Sequence, residues 1–154
     1  MFILKLIRAL KKAKIKYAIA GGHAVSLHGA VRGTMDVDIV VEHKEKFFLK
    51  LEEIFHKLGL ESKLPVSAKE VFNFREEYKK NRNLLAWSFV NPNYPIEIVD
   101  VLLTDDLSKL KTIEFKIQGE ELTVVSKADL IKMKKRSGRP QDIEDVKALE
   151  EIKE

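Results

Sequence analysis

Hydrophobic residues recur at two periods along this chain, and the switches between them mark out its elements. Over residues 2–14, Ile3, Leu6, Ile7 and Leu10 fall at helical spacing, which predicts an amphipathic helix. "YAIA" (17–20) is a short apolar run that reads as a strand ending at Gly21-Gly22, with a short helix over 23–29. "MDVDIVV" (35–41) alternates polar and apolar residues, so it reads as a half-buried strand. Phe47, Leu51, Ile54, Phe55 and Leu58 then form a helical stripe closed by Gly59, a residue suited to a left-handed cap. Ser67 and Glu70 make a capping box that opens a helix to about Tyr78.

"LLAWSFV" and "PIEIVDVLL" read as two strands joined by the turn-forming "NPNY". "TIEFKI" and "LTVVS" form a second hairpin around "QGEE". Ser126 and Asp129 cap a helix running to about Arg136, and Pro140, after the break "SGRP", suits the first turn of a last helix. This order of elements predicts an α+β, or mixed α/β, domain built on a largely mixed or antiparallel sheet. With 154 residues and neither repeats nor a linker, one domain is expected, its core over about 15–125 and its closing helices over about 126–152. Trp87 and the phenylalanines are expected in the core.

Composition removes some classes of function. The chain has no cysteine, so disulfides and thiolate metal sites are excluded, and its four histidines show no spacing that suggests a structural zinc site. The first sixteen residues are interrupted by Lys5 and Arg8 and lack the layout of a signal peptide. No apolar stretch approaches a membrane span, so a cytoplasmic protein without membrane contact is expected. The net charge is +4, and residues 1–16 carry six basic side chains and no acid. That end is either a solvated helix face or a contact for a phosphate-rich partner such as RNA.

The chemistry concentrates between residues 21 and 41. Side chains at i and i+2 share one face of a strand, so Asp36 and Asp38 are expected side by side while Val37, Ile39 and Val41 face the core. Adjacent carboxylates repel unless a cation offsets them, and a hard divalent ion suits that donor set. Gly21-Gly22 lies between a strand and a helix, where a missing Cβ lets backbone N–H groups approach a phosphate or simply permits a tight turn. Arg32 and Thr34 lie between the two features. Together they point to metal-assisted phosphoryl or nucleotidyl chemistry.

"AIAGGHAVSLHGAVRGTMDVDIVV" resembles the signature of the DNA polymerase β-like nucleotidyltransferase superfamily: a glycine pair, a short helix, then Asp-x-Asp flanked by apolar residues. The form H-G-x-x-R-x-T-x-D-x-D is similar to small prokaryotic members, including the abortive-infection toxin type. "LIKMKKRSGRPQDIEDVKAL" looks like their closing motif, and the resemblance spans roughly residues 17–149. It implies the nucleotidyltransferase fold, a central mixed sheet flanked by helices. It also implies that Asp36 and Asp38 bind Mg²⁺ or Mn²⁺ against a nucleoside triphosphate, with Gly21 and Gly22 cradling phosphates. A third carboxylate, the base or a further metal ligand, is Asp100 or alternatively Glu97; three positions apart on a regular strand, the two would face opposite sides. Lys134 is implied as a catalytic cation, although its place in "KMKKR" equally suits a surface lysine. Arg32, Thr34 and Arg139 are implied on the nucleotide, Arg32 against phosphate or bracing Asp38. Arg139 could equally form a structural ion-pair network with Asp142 and Asp145. His23, where members commonly carry Ser, and His28 are expected to pack or cap.

The expected activity is transfer of a nucleoside monophosphate from the triphosphate to a hydroxyl of RNA, protein or a small molecule, releasing pyrophosphate. The alternative is a catalytically silent nucleotide- or RNA-binding module, or a toxin–antitoxin partner. The short chain suits a homodimer or a partner subunit.

Overall fold

A computed structural model describes residues 1–152. The chain enters as α1 (Phe2–Lys12), whose Ile3, Leu4, Leu6, Ile7 and Leu10 are buried. It continues through β1 (Ala18–Ala20), α2 (Gly21–Leu27) and β2 (Val37–Val40). Next come α3 (Glu45–Lys57), β3 (Glu61–Ser62) and α4 (Ala68–Arg82), then β4 (Ala86–Val90) and β5 (Ile98–Leu102). The hairpin of β6 (Thr112–Ile117) and β7 (Glu120–Val125) leads into α5 (Lys127–Ser137) and α6 (Pro140–Glu151).

The strands form one mixed sheet in the order β3-β4-β5-β2-β1-β7-β6. The pairs β2–β5 and β1–β7 are parallel, and the other neighbours are antiparallel. This is the mixed α/β architecture expected from the pattern of elements. One face is wholly apolar where β2, β5 and β4 present Val37, Ile39, Val99, Val101, Trp87 and Phe89. The α3 helix closes over it, with Phe48 stacked on Trp87 at 5.6 Å and Phe55 edge-on to Phe89 at 4.9 Å. The alternate positions Asp38, Asp100 and Ser88 are only half-buried and lie on the other face.

The Ser67 capping box is complete, whereas at Ser126 only the serine side chain caps, because the Asp129 carboxylate accepts from the Lys111 N–H at 2.7 Å. Ser67 Oγ accepts from Glu70 N at 3.2 Å, and Ser126 Oγ accepts from Asp129 N at 3.3 Å. The α4 helix runs past Tyr78 to Arg82 because its stop is Asn83, whose φ of 50° caps it in the left-handed conformation. Two departures touch the site. The strand expected over 35–41 begins only at Val37, so Asp36 sits in the bend before β2 and not on a regular strand. Likewise β5 starts at Ile98, which leaves Glu97 in the preceding loop and removes the opposite-face comparison with Asp100.

Candidate active site

Parallel pairing of β2 with β5 sets Asp38 directly across from Asp100. The two carboxyl groups act on each other across that pair. Burial first, then the charge and hydrogen bond of Asp100, push Asp38 up to about 7, against the opposing pull of Lys134. Asp36 is raised by burial and by Asp100, and pulled back by Lys63 and His23. Three carboxylates thus act on one another at the open face. Glu97 is elsewhere, accepting from Asn91 Nδ2 at 2.9 Å and lying 3.8 Å from Lys5 Nζ.

The glycine pair packs closely against the acids and the loop that carries them. Gly21 has a φ of +61°, and a Cβ there would overlap the Asp38 carboxylate. At Gly22 a Cβ would come within 2.8 Å of Thr34 Cβ. The bare backbone of 21–22 is what lets Asp38 and the 32–36 loop close against the start of α2. Thr34 fills the Gly22 notch, its hydroxyl 3.5 Å from the Asp36 carbonyl.

The cations are arranged unlike the expectation. Lys134 is 6% exposed, not a surface lysine, with Nζ 2.9 Å from Asp145 Oδ2 and 3.4 Å from Asp142 Oδ1. The contact to Asp145 Oδ2 is an ion pair without well-directed hydrogen-bond geometry. Arg32 does not brace Asp38: its Nε donates to Asp145 Oδ1 at 3.0 Å and its Nη1 to the Gly33 carbonyl at 2.6 Å. Arg139 caps α6 through Asp142, with Nε 2.9 Å from Oδ2, yet most of its side chain is exposed and its charge acts on Asp38. Burial would raise Asp142, but the Arg139 side chain, Ser137 and the Arg139 N–H hold it down at about 2. The ion-pair network read from "GRPQDIED" is therefore present, and it fastens α5 and α6 to the loop that carries Asp36.

Two residues at this face carried no sequence signal. Ser88 pairs with Asp100 across β4–β5, and the Lys63 N–H donates to the Ser88 carbonyl at 2.9 Å. Each is an ordinary residue type in a two-residue strand or an alternating one, so only the register reveals it. Of the histidines, His28 sits 2.8 Å from the Val125 carbonyl and edge-on to Phe115. The buried Nε2 of His23 has no hydrogen-bond partner. That ring lines an apolar cleft of about 660 Å³ together with Leu27, Met35, Val37, Tyr94 and Ile96. Met35 and Val37 flank Asp36 in the chain, and Glu97 also lines the cleft.

The donor set suits a hard divalent ion. Asp38 and Asp100 are paired across adjacent strands, and the nearest buried ammonium is already paired with two other acids. Among the described residues no three acidic or imidazole groups are drawn together tightly enough to enclose an ion as they stand. No helix among the described residues is long and apolar enough to cross a membrane.

The fold is shared with solved structures of low sequence similarity. One is the lincosamide antibiotic adenylyltransferase LnuA in its lincomycin-bound crystal structure, 14% identical over 99% of this chain and 96% of that one, TM-score 0.64. A second is the antibiotic-resistance factor ANT(2'')-Ia in solution, 14% identical over 96% and 80%, TM-score 0.66. A third is the putative nucleotidyltransferase TM1012 from Thermotoga maritima, 17% identical over 94% and 88%, TM-score 0.61. No curated protein matches the sequence significantly. The model of the family described as "Nucleotidyltransferase of unknown function (DUF6036)" matches residues 2–154, and the chain belongs to that family of nucleotidyltransferases.

Proposed function

We propose that the chain transfers a nucleoside monophosphate from a nucleoside triphosphate to a hydroxyl group, using Asp36, Asp38 and Asp100 with Mg²⁺ or Mn²⁺. The observation that carries this is the cross-strand pairing of Asp38 with Asp100, two half-buried acids on adjacent central strands. Such a pair resists folding unless its charge is used, and the like charges at 36, 38 and 100 supply a reason for an ion. When bound, the ion would polarise the phosphate oxygens and offset the charge that builds in the transition state. Asp100 takes the proton from the acceptor hydroxyl, whose oxygen bonds to the α-phosphorus as the bond to the β-phosphate oxygen breaks and pyrophosphate leaves. Arg139, paired with Asp142 but largely exposed, would meet the phosphates.

Two features favour a small organic acceptor over RNA. The apolar cleft lined by Met35 and Val37 has the size of a ligand pocket. Three of the six basic side chains of residues 1–16 are already matched: Lys5 with Glu97, and Arg8 and Lys11 with Glu120. LnuA and ANT(2'')-Ia are described as acting on antibiotics, which is consistent with this choice. The test is transfer of α-labelled nucleotide, one base at a time with Mg²⁺ or Mn²⁺, to a small-molecule extract and to an RNA fraction. Label appearing in small molecules with the wild type and not with Asp38→Asn supports the reading. Label appearing only in RNA would move the acceptor class, and none with any base would remove the enzymatic reading of the acids.

A further inference from the structure

We infer that Lys63 binds the β- and γ-phosphates of the nucleotide, the part that leaves as pyrophosphate. The inference rests on the nucleotidyl-transfer reading above and adds a residue to it. Its basis is register. Glu61 pairs with Val90 and Ser62 with Phe89, so the next position, Lys63, falls opposite Ser88, and the 2.9 Å bond from its N–H to the Ser88 carbonyl continues that ladder. Ser88 pairs with Asp100, and Asp100 with Asp38. One row on the open face therefore runs through Ser88, Asp100 and Asp38, with Lys63, in the bend just past β3, at its end.

Strands lie about 4.8 Å apart, so the Lys63 backbone stands about 10 Å from that of Asp100. A lysine side chain spans more than half of that distance. The other basic groups near the acids are engaged. Lys134 is held by Asp142 and Asp145, Arg32 by Asp145, and Arg139 by Asp142. Lys63 is exposed and forms no ion pair among the described residues. With divalent ions on the three carboxylates, a polyphosphate would bridge those ions and this exposed ammonium, whose charge no acid among the described residues offsets.

The experiment measures equilibrium binding of each nucleoside triphosphate and of the matching monophosphate, with Mg²⁺, to the wild type, Lys63→Ala, Lys63→Arg and Lys12→Ala. Lys12 is an exposed lysine on α1 and controls for net charge. The expected result is about a tenfold loss of triphosphate affinity in Lys63→Ala, less than a twofold change for the monophosphate, and recovery to within about threefold in Lys63→Arg. Thermal stability should be unchanged, since the side chain is exposed and unpaired. Equal losses for both nucleotides, no loss, or a matching loss in Lys12→Ala would overturn the role of Lys63 alone. Failure of the wild type to bind any triphosphate would overturn the nucleotidyl-transfer reading together with it.

Discussion

Replacing Gly21 by alanine tests the account of the glycine pair. An L-residue at a φ of +61° costs about 1–2 kcal/mol from its own backbone. The new Cβ would also lie 2.7 Å from Asp38 Cγ and 2.9 Å from Asp38 Cβ, and nearer still to the carboxylate oxygen. Relieving such overlap by shifting a packed strand adds about 1–3 kcal/mol. Gly21→Ala should thus lose roughly 2–5 kcal/mol, lowering Tm by about 5–15 °C in a chain of this size. A double-mutant cycle separates the two parts. In an Asp38→Ala background the oxygen and Cγ contacts are gone and only the Cβ approach remains. There the cost of Gly21→Ala should fall by about 1–2 kcal/mol in urea unfolding. Strictly additive costs would refute the close approach as the reason for glycine, and a cost below about 1 kcal/mol in both backgrounds would refute the backbone argument too.

Removing Lys134 as Lys134→Ala leaves Asp142 and Asp145 buried without their ammonium, and chemical denaturation should show a loss of about 3–5 kcal/mol. Asp142 is held at about 2 against an ordinary 3.8, so its contribution, about 2 kcal/mol, is present above pH 4 and disappears as pH falls through 2. Acid unfolding of Asp142→Asn should lack that component, and identical acid profiles would contradict the assignment. Asp38 behaves in the opposite sense. Because burial and Asp100 raise it to about 7, the wild type in chelator should lose stability as pH climbs from about 4 to 7. Asp38→Asn should be flatter over that window and more stable at pH 8 by thermal melting, while losing nucleotide transfer.

Much of the fold was legible because its signals are local. Capping pairs at Ser67–Glu70 and Ser126–Asp129, the alternation in β2 and β5, and the stripe of α3 each depend on neighbours a few residues away. The two-residue β3 was not legible, since Glu61-Ser62 has no pattern of its own and exists only because β4 offers an edge. Within the site, Asp36 and Asp38 stand out as alternating acids among apolar residues, while the third acid is implied only by the resemblance, which leaves Asp100 and Glu97 both open. The rest depended on tertiary pairing. Nothing in "KMKKR" distinguishes the buried Lys134 from its exposed neighbours, and Arg32 was read toward Asp38 because its partner, Asp145, lies at the far end of the chain. Lys63 and Ser88 became visible only through sheet register.

The sheet order also bears on how the chain is made. Strand β1 is the first to emerge during synthesis, and one of its two edges is covered only by β7, which emerges near the end. Until then a short, wholly apolar strand carries an open row of backbone donors and acceptors beside Gly21 and Asp38. An unfinished chain therefore exposes a sticky edge at the very strand that abuts its future site, and a translation stall before residue 120 would leave a species more prone to aggregate than to act.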